Sequence, residues 1–332
     1  MSQLQKQTAV LVEQELLAFL DSKSDELRGL DEAGAALLAE VRRLIDAGGS
    51  RIRPVLCVTA YEGCGGSRTP SIMRVAASFE LLHTFALIHD DLADGGRLRR
   101  GVPSTLAEHS AMTALLAGDM AFSLSDELYL ESGADPAGLI RAFRHVAAAR
   151  LQALTGQHLE QTSIPSADPE LSNKIARLKT SSYSLVAPLS VGADLAGASE
   201  GTIKSLKDYG ETLGVAYQMR DDLQLLSGAA DKDVDSDLLN GRPTALISAA
   251  LRLAGAVQLE RLNQIWGDPE STATEIKTFV GIAKEVGAEA SIQENVDSLV
   301  SRAKEALHYC PPGEMSENSI QVLNTLADRV SG

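Results

Sequence analysis

Apolar residues recur along this chain at every third or fourth position, as in the opening stretch MSQLQKQTAVLVEQELLAFLDSK. That period is the mark of helices with one buried face, whereas strands would alternate in twos. The pattern predicts about a dozen helices separated by short breaks rich in Gly, Pro, Asp and Ser. The breaks are DAGGSRIRP (46–54), GCGGSRTP (63–70), ADGGRLRRGVPS (93–104), ESGADP (131–136), IPSADP (164–169), SGAADKDVDSDLLNGRP (227–243) and CPPGEMS (310–316). No strand is predicted. None of the breaks is a long flexible linker and no segment repeats at a fixed period, so one all-helical domain spanning 1–332 is expected. No stretch approaches the roughly 20 apolar residues of a membrane span, and none is expected.

Composition sharpens this picture in two ways. Only 4% of residues are aromatic while Ala and Leu abound, a balance that favours packed helices over strands. The 45 acidic and 30 basic side chains leave a net charge of −15, which argues against nucleic acid or an anionic membrane as partner. Cys57, Cys64 and Cys310 are few and lack metal-type spacing, so neither a disulfide framework nor a zinc site is expected. The first residues carry acids early and lack the basic start and small-residue cleavage site of a signal peptide. A reducing cytoplasm is the expected location.

Candidate chemistry concentrates at two helix ends. In FELLHTFALIHDDLADGGRLRRG an otherwise apolar helix ends on Asp90, Asp91 and Asp94. Asp90 and Asp94 are one turn apart and face the same way. Two such carboxylates repel each other unless a divalent cation lies between them, and an all-carboxylate donor set points to magnesium; a solvated helix end is the plainer alternative. A second cluster, YQMRDDLQLLSG, sets Asp221 and Asp222 behind Gln218. If the two helices face each other, Asp90, Asp94 and Asp221 form a cationic cradle for a polyphosphate once metal is bound. Arg51 and Arg53 follow a double glycine, Arg99 and Arg100 follow the first cluster, and Lys179 and Lys232 occur farther along. Guanidinium and ammonium groups so placed suit phosphate oxygens.

Taken in order, GGSRIRP, ELLHTFALIHDD, DDLADGGRLRRGVPS, Gly118-Asp119, Gly156-Gln157, Lys179-Thr180, YQMRDD and SDLLNGRPT resemble the trans-isoprenyl diphosphate synthases. The resemblance runs from Gly48 to Thr244 and implies an all-α fold: a single large helical bundle around a deep central cavity, paired as a homodimer. It implies that Asp90, Asp94 and Asp221 ligate Mg2+, three ions with substrate bound, and that Asp91 and Asp222 support them. Arg99, Lys179 and Lys232 then contact the allylic diphosphate, with Thr180 and Gln218 beside it. Arg51, His83 and Arg100 match positions that hold isopentenyl diphosphate. His83 is seven residues before Asp90, two turns along one helical face; a satisfied core histidine is its structural alternative.

The implied reaction joins isopentenyl diphosphate to dimethylallyl, geranyl or farnesyl diphosphate by ionisation, condensation and proton loss. Phe85, five residues before the first motif and about 7.5 Å deeper along the helix, resembles the plug of short-chain enzymes, and the adjacent Ala86 is small. Simple core packing is the alternative for Phe85. With the short DDxxD form of the first motif, these residues point to geranylgeranyl diphosphate (C20) as product and farnesyl diphosphate (C15) as the alternative.

Four positions depart from the family pattern. Ser50 stands where GGKR has lysine, Leu225 occupies the third aspartate position of the second motif, Glu160 replaces an aspartate, and Arg242 replaces a lysine. Two rivals therefore remain: a class I terpene cyclase, against which Arg51, His83, Arg99 and Arg100 argue, and a non-catalytic modulating subunit, against which the retained aspartates argue.

Overall fold

The structure, a computed structural model, describes residues 3–163, 167–227 and 234–332. Among the described residues it is almost entirely helical. In chain order the helices are α1 (Gln3–Leu30), α2 (Glu32–Asp46), α3 (Ile52–Gly63), α4 (Pro70–Asp94), α5 (Thr105–Glu108), α6 (Ala111–Leu130), α7 (Pro136–Thr162) and α8 (Pro169–Ile175). A π-helical segment, Ala176–Val186, leads into α9 (Ala187–Leu195) and α10 (Glu200–Asp222), and a short 3-10 turn follows at Leu223–Ser227. The chain continues as α11 (Val234–Leu239), α12 (Ala245–Leu253), α13 (Ala256–Ile265), α14 (Ala273–Glu285), α15 (Ala288–Leu307) and α16 (Glu317–Ser331). The expected dozen falls short because pieces such as α5 and α11 are too brief to show a period. One small departure from the all-helical expectation is a two-stranded ribbon, β1 (Leu98–Arg99) against β2 (Val102–Pro103), in the loop after α4.

The chain folds into two compact units: Met1–Arg144 with Pro188–Ser199 and Pro312–Val322, and His145–Ala187 with Glu200–Pro311 and Leu323–Gly332. In the first unit α4 packs against α6, α3 and α1. Its sequence explains why it forms: Pro70 sits in the first turn, where a missing N–H costs nothing, and Gly95 ends the helix in the left-handed region at φ 72°. Val75, Phe79 and Leu82 are buried on α4, and Val12, Leu16 and Leu20 contribute a matching stripe from α1. Ser110 accepts from the Thr113 N–H to cap α6.

One expectation is corrected here. By length and composition α4 does reach the size of a membrane span, but 67% of its most apolar stretch is buried inside the protein. It is the hydrophobic centre of its unit, so its apolar run is explained by packing.

In the second unit α10 packs against α15 and the π-helical segment. Leu206, Tyr209 and Leu213 of α10, Phe279 of α14, and Ile292, Val296 and Val300 of α15 are buried. The Tyr209 hydroxyl donates to the Leu323 carbonyl at 2.8 Å. Thr272 and Glu275 satisfy each other's backbone N–H groups at the start of α14.

Close helix approach in the first unit is enforced at Gly192. A Cβ added there would lie 2.1 Å from the Cys57 carbonyl oxygen, a backbone atom that cannot rotate away. Gly192→Ala is therefore expected to destabilise the protein by about 3 kcal/mol through overpacking, measured by urea unfolding. A loss under about 1 kcal/mol would show that α9 and α3 separate easily.

Candidate active site

In the first unit, the last turn of α4 carries Asp90, Asp91 and Asp94. They do not behave alike. Asp91 is 1% exposed, and the Arg99 guanidinium forks onto it, with Nε 3.1 Å from Oδ1. Gly96 is needed at this point, because a Cβ there would sit 2.6 Å from Asp91 Oδ1. Asp90 and Asp94 remain half-buried, and Arg99 Nη2 is 3.9 Å from Asp90 Oδ2. The turn thus separates one carboxylate that anchors a cation of the protein from two that stay half-buried.

Deeper on α4, His83 is half-buried, and its pKa is held well below the ordinary histidine value. Burial is the main cause; Arg53, Arg100, Arg99 and Arg51 add to it, Arg53 most strongly of the four. A neutral imidazole beside guanidinium groups is a hydrogen-bonding group in a region primed for an anion. Arg100 adopts φ 54° and donates from Nη1 to the Leu44 carbonyl at 2.8 Å. Arg51 is differently placed: its guanidinium is buried and donates to Glu80, Glu13 and the Ile45 carbonyl. Ser50, at the lysine position of the motif, is exposed.

Phe85 packs edge-on to Phe122 of α6, with ring centroids 4.9 Å apart, and edge-on to His89 at 4.7 Å. Ala86 beside it is half-buried. Gly118 makes room for this group, because a Cβ there would fall 2.2 Å from the His89 ring. The Gly118-Asp119 pair thus has a steric origin, and Asp119 Oδ1 lies 3.7 Å from His89 Nε2.

In the second unit, Lys179 and Thr180 lie on the π-helical segment. A wider helical turn inside an α-helix is uncommon and frequent at functional sites. Glycines let it approach its neighbours: a Cβ on Gly156 of α7 would be 2.4 Å from the Lys179 backbone nitrogen, and one on Gly214 of α10 would be 2.2 Å from Ser181 Oγ. Lys179 Nζ donates to Glu160 at 2.6 Å. Thr180 Oγ1 donates to Gln218 Oε1 at 2.8 Å, Gln218 Nε2 donates to Asp222 Oδ1 at 3.0 Å, and the Ala245 N–H donates to Asp222 Oδ2 at 2.8 Å. Burial pushes the Asp222 carboxyl up to about 7, while the Gln218 and Ala245 donors oppose that rise. Asp222 is occupied by the protein; Asp221, one residue earlier, is exposed and accepts from Gln224. Leu225 is buried, so the position that lacks a third aspartate serves the core. Arg242 is buried and donates to the Glu160 carbonyl at 3.3 Å.

Asp90, Asp94, Arg99, Arg100, His83, Arg51, Phe85 and Ala86 thus belong to the first unit, and Lys179, Thr180, Gln218 and Asp221 to the second. Lys232 lies outside the described residues. Three contributors were not assigned from sequence. Arg53 was visible as a second arginine after the double glycine, but nothing in the motif separated it from Arg51. Glu80 and Phe122 gave no signal, since each looks like an ordinary residue of an apolar helix.

Among the described residues no three carboxylate, imidazole or thiol side chains gather into a metal cage. Magnesium, however, is commonly held by one or two carboxylates together with substrate phosphates. Asp90 and Asp94, half-buried hard oxygen donors one turn apart, fit that use.

The family model of polyprenyl synthetase matches residues 35–283. A geranylgeranyl diphosphate synthase from Methanosarcina mazei is 30% identical over 285 residues, covering 81% of this chain and 83% of that protein. A geranylfarnesyl diphosphate synthase from Aeropyrum pernix is 29% identical over 330 residues, covering 97% and 98%. Among solved structures, the geranylgeranyl pyrophosphate synthase of Corynebacterium glutamicum, complexed with isoprenyl diphosphate and magnesium, superposes with a TM-score of 0.89 at 25% identity over 98% of both chains. With a matching family model, relatives of this extent and the same helical fold, the chain belongs to the polyprenyl synthetase family and is a prenyltransferase.

Proposed function

We propose that this enzyme condenses isopentenyl diphosphate with allylic diphosphates and stops at geranylgeranyl diphosphate. One observation carries the reading: the half-buried carboxylates of Asp90 and Asp94 end the same helix that carries His83, in a unit that also holds Arg53, Arg99 and Arg100. That combination answers to two anionic substrates, one met through metal and one directly. Asp90 and Asp94 are the residues of the first unit that would hold Mg2+, and Asp221 is the carboxylate that the second unit would offer. When bound, three such ions neutralise the allylic diphosphate and the charge that grows on it as it leaves.

The chain's own residues do the rest. Arg99, fixed by Asp91, together with Lys179 and Lys232, contacts the allylic diphosphate and stabilises it as the C–O bond breaks. Gln218, oriented by Thr180 and Asp222, offers its amide to a diphosphate from the second unit. His83, Arg53 and Arg100 hold isopentenyl diphosphate so that its double bond donates its electron pair to the allylic cation. A proton then leaves the new C–C unit, and the departed diphosphate accepts it. Apolar helix walls exclude the water that would quench the cation. Phe85, braced by Phe122, is the stop for the growing tail.

The acting form is proposed as a homodimer. Met112, Leu115 and Leu116 form an exposed apolar stripe at helical spacing on α6, a surface suited to burial against a second copy. A cytoplasmic location is part of the same proposal, because three cysteines without paired spacing do not make a disulfide framework.

The test is to supply Mg2+, labelled isopentenyl diphosphate and each of the C5, C10 and C15 primers, then size the dephosphorylated products. A C20 limit is expected. Allylic turnover with no incorporation of label would instead identify a cyclase. Asp90→Ala is expected to cut turnover by roughly a thousandfold while the thermal midpoint moves by only a few degrees; near-normal activity would remove Asp90 from the metal site. Phe85→Ala is expected to lengthen the product, and an unchanged product ladder would reject the stop. Restoring the motif's cation with Ser50→Lys is expected to lower the KM for isopentenyl diphosphate by about tenfold; no change would show that the site is complete without it.

A further inference from the structure

The reading above leaves the buried carboxylate of Glu80 unassigned. Glu80 lies on α4 three residues before His83, and its side chain is 2% exposed. A carboxylate in such a place is strongly disfavoured unless paired. Its partner is Arg51, 5% exposed, whose Nη1 is 2.9 Å from Glu80 Oε2. The other end of the same guanidinium, Nη2, is 2.9 Å from Glu13 Oε1 and 2.8 Å from the Ile45 carbonyl. Both terminal nitrogens of Arg51 are therefore committed to the protein.

The backbone at Arg51 gives that commitment a purpose. Arg51 sits in the left-handed region at φ 51°, ψ 31°, directly before α3. A non-glycine residue there is strained and persists only where its surroundings hold it. Because Arg51 is the residue from which α3 starts, its setting decides how the helix begins and where Arg53, in the first turn, points. The double-glycine turn before it is packed onto the same group. A Cβ on Gly49 would lie 3.1 Å from Arg100 Nη2 and 3.3 Å from Arg51 Nη1. Arg100 and Arg51 also share one anchor, the final turn of α2, where they take the Leu44 and Ile45 carbonyls respectively. Glu80 acts on Arg100 as well: burial pulls the Arg100 pKa down, and Glu80 is the main influence opposing it.

We propose that Glu80 is a positioning residue for isopentenyl diphosphate: by clamping Arg51 in its left-handed turn, it fixes the start of α3 and so sets Arg53 and Arg100 toward the diphosphate. Arg51 is then a strut, and Arg53 is the ligand. The inference rests on the prenyl-transfer reading. A competing role for Glu80, a simple countercharge, predicts the opposite sign. Removing a countercharge would make the site more positive and tighten anion binding, whereas removing a clamp misplaces two ligands and weakens it.

The experiment compares Glu80→Gln with the wild type in steady-state kinetics. The wild type must first incorporate isopentenyl diphosphate; failure there sinks the functional reading before Glu80 is in question. For Glu80→Gln the KM for isopentenyl diphosphate is expected to rise about tenfold. The KM for the allylic primer, and the rate of primer hydrolysis without isopentenyl diphosphate, are expected to stay within about twofold. Glu80→Asp, keeping the charge, is expected to recover part of the loss. An unchanged or lowered KM for isopentenyl diphosphate overturns the proposal, as does an equal loss for both substrates alongside a lower thermal midpoint. Should Glu80→Gln not fold, Glu13→Gln loosens Arg51 from its more exposed side. There the KM for isopentenyl diphosphate is expected to rise about threefold, and no change overturns the clamp.

Discussion

Like charges at the end of a buried helix are the constraint around which the first unit is arranged. Asp90 and Asp94, one turn apart, repel by about 3 kcal/mol at a separation of about 6 Å and an effective dielectric of about 20. Asp91 between them adds a third negative charge, buried more deeply than either. The fold answers Asp91 with a forked arginine and leaves Asp90 and Asp94 half-buried, with Arg99 near Asp90. An arrangement that stable folding alone would not select is thereby kept.

The second unit solves a different problem, that of bringing backbone close to backbone. The π-helical segment with Lys179 and Thr180 fits against α7 and α10 only because Gly156 and Gly214 have no side chain. Once there, Thr180, Gln218, Asp222 and the Ala245 N–H form a continuous hydrogen-bonded line. Each member holds the next in orientation, and a line of half-buried polar groups satisfied in this way is held in place. Asp221 thus extends from a fixed helix end instead of from a mobile loop.

How much of this was legible follows from range. The acid-tipped helix ending at Asp94 could be read directly, because its apolar period, its abrupt acidic turn and the following glycines are all local. The motif glycines were legible as landmarks, but not as notches, since Gly118 owes its role to His89 and Gly156 to Lys179, which come from other helices. The placing of Arg51 was hidden for the same reason. Its partners Glu13 and Glu80 lie 38 and 29 residues away, and neither its left-handed backbone nor its burial follows from GGSRIRP. The apolar length of α4 was under-read in a simpler way: it does reach the size of a span, and since composition alone cannot tell a helix buried in protein from one buried in lipid, only packing decides.

An acidic protein that takes acidic substrates needs its positive charge in a small space. With a net charge of −15, the protein repels a diphosphate at long range, yet at physiological salt that repulsion fades beyond about 8 Å. What remains is the local field, and there Arg51, Arg53, Arg99 and Arg100 all act on His83. Four guanidinium groups so close together also repel each other, so such a cluster survives in the empty protein only with acidic counterparts built into its rear. Asp91 serves Arg99 in this way, and Glu80 serves Arg51. Both counterparts are buried on α4, the helix whose far end bears Asp90 and Asp94. One helix therefore carries fully buried carboxylates that hold arginines and half-buried carboxylates suited to metal, and the face each lies on follows from its place on the helical turn.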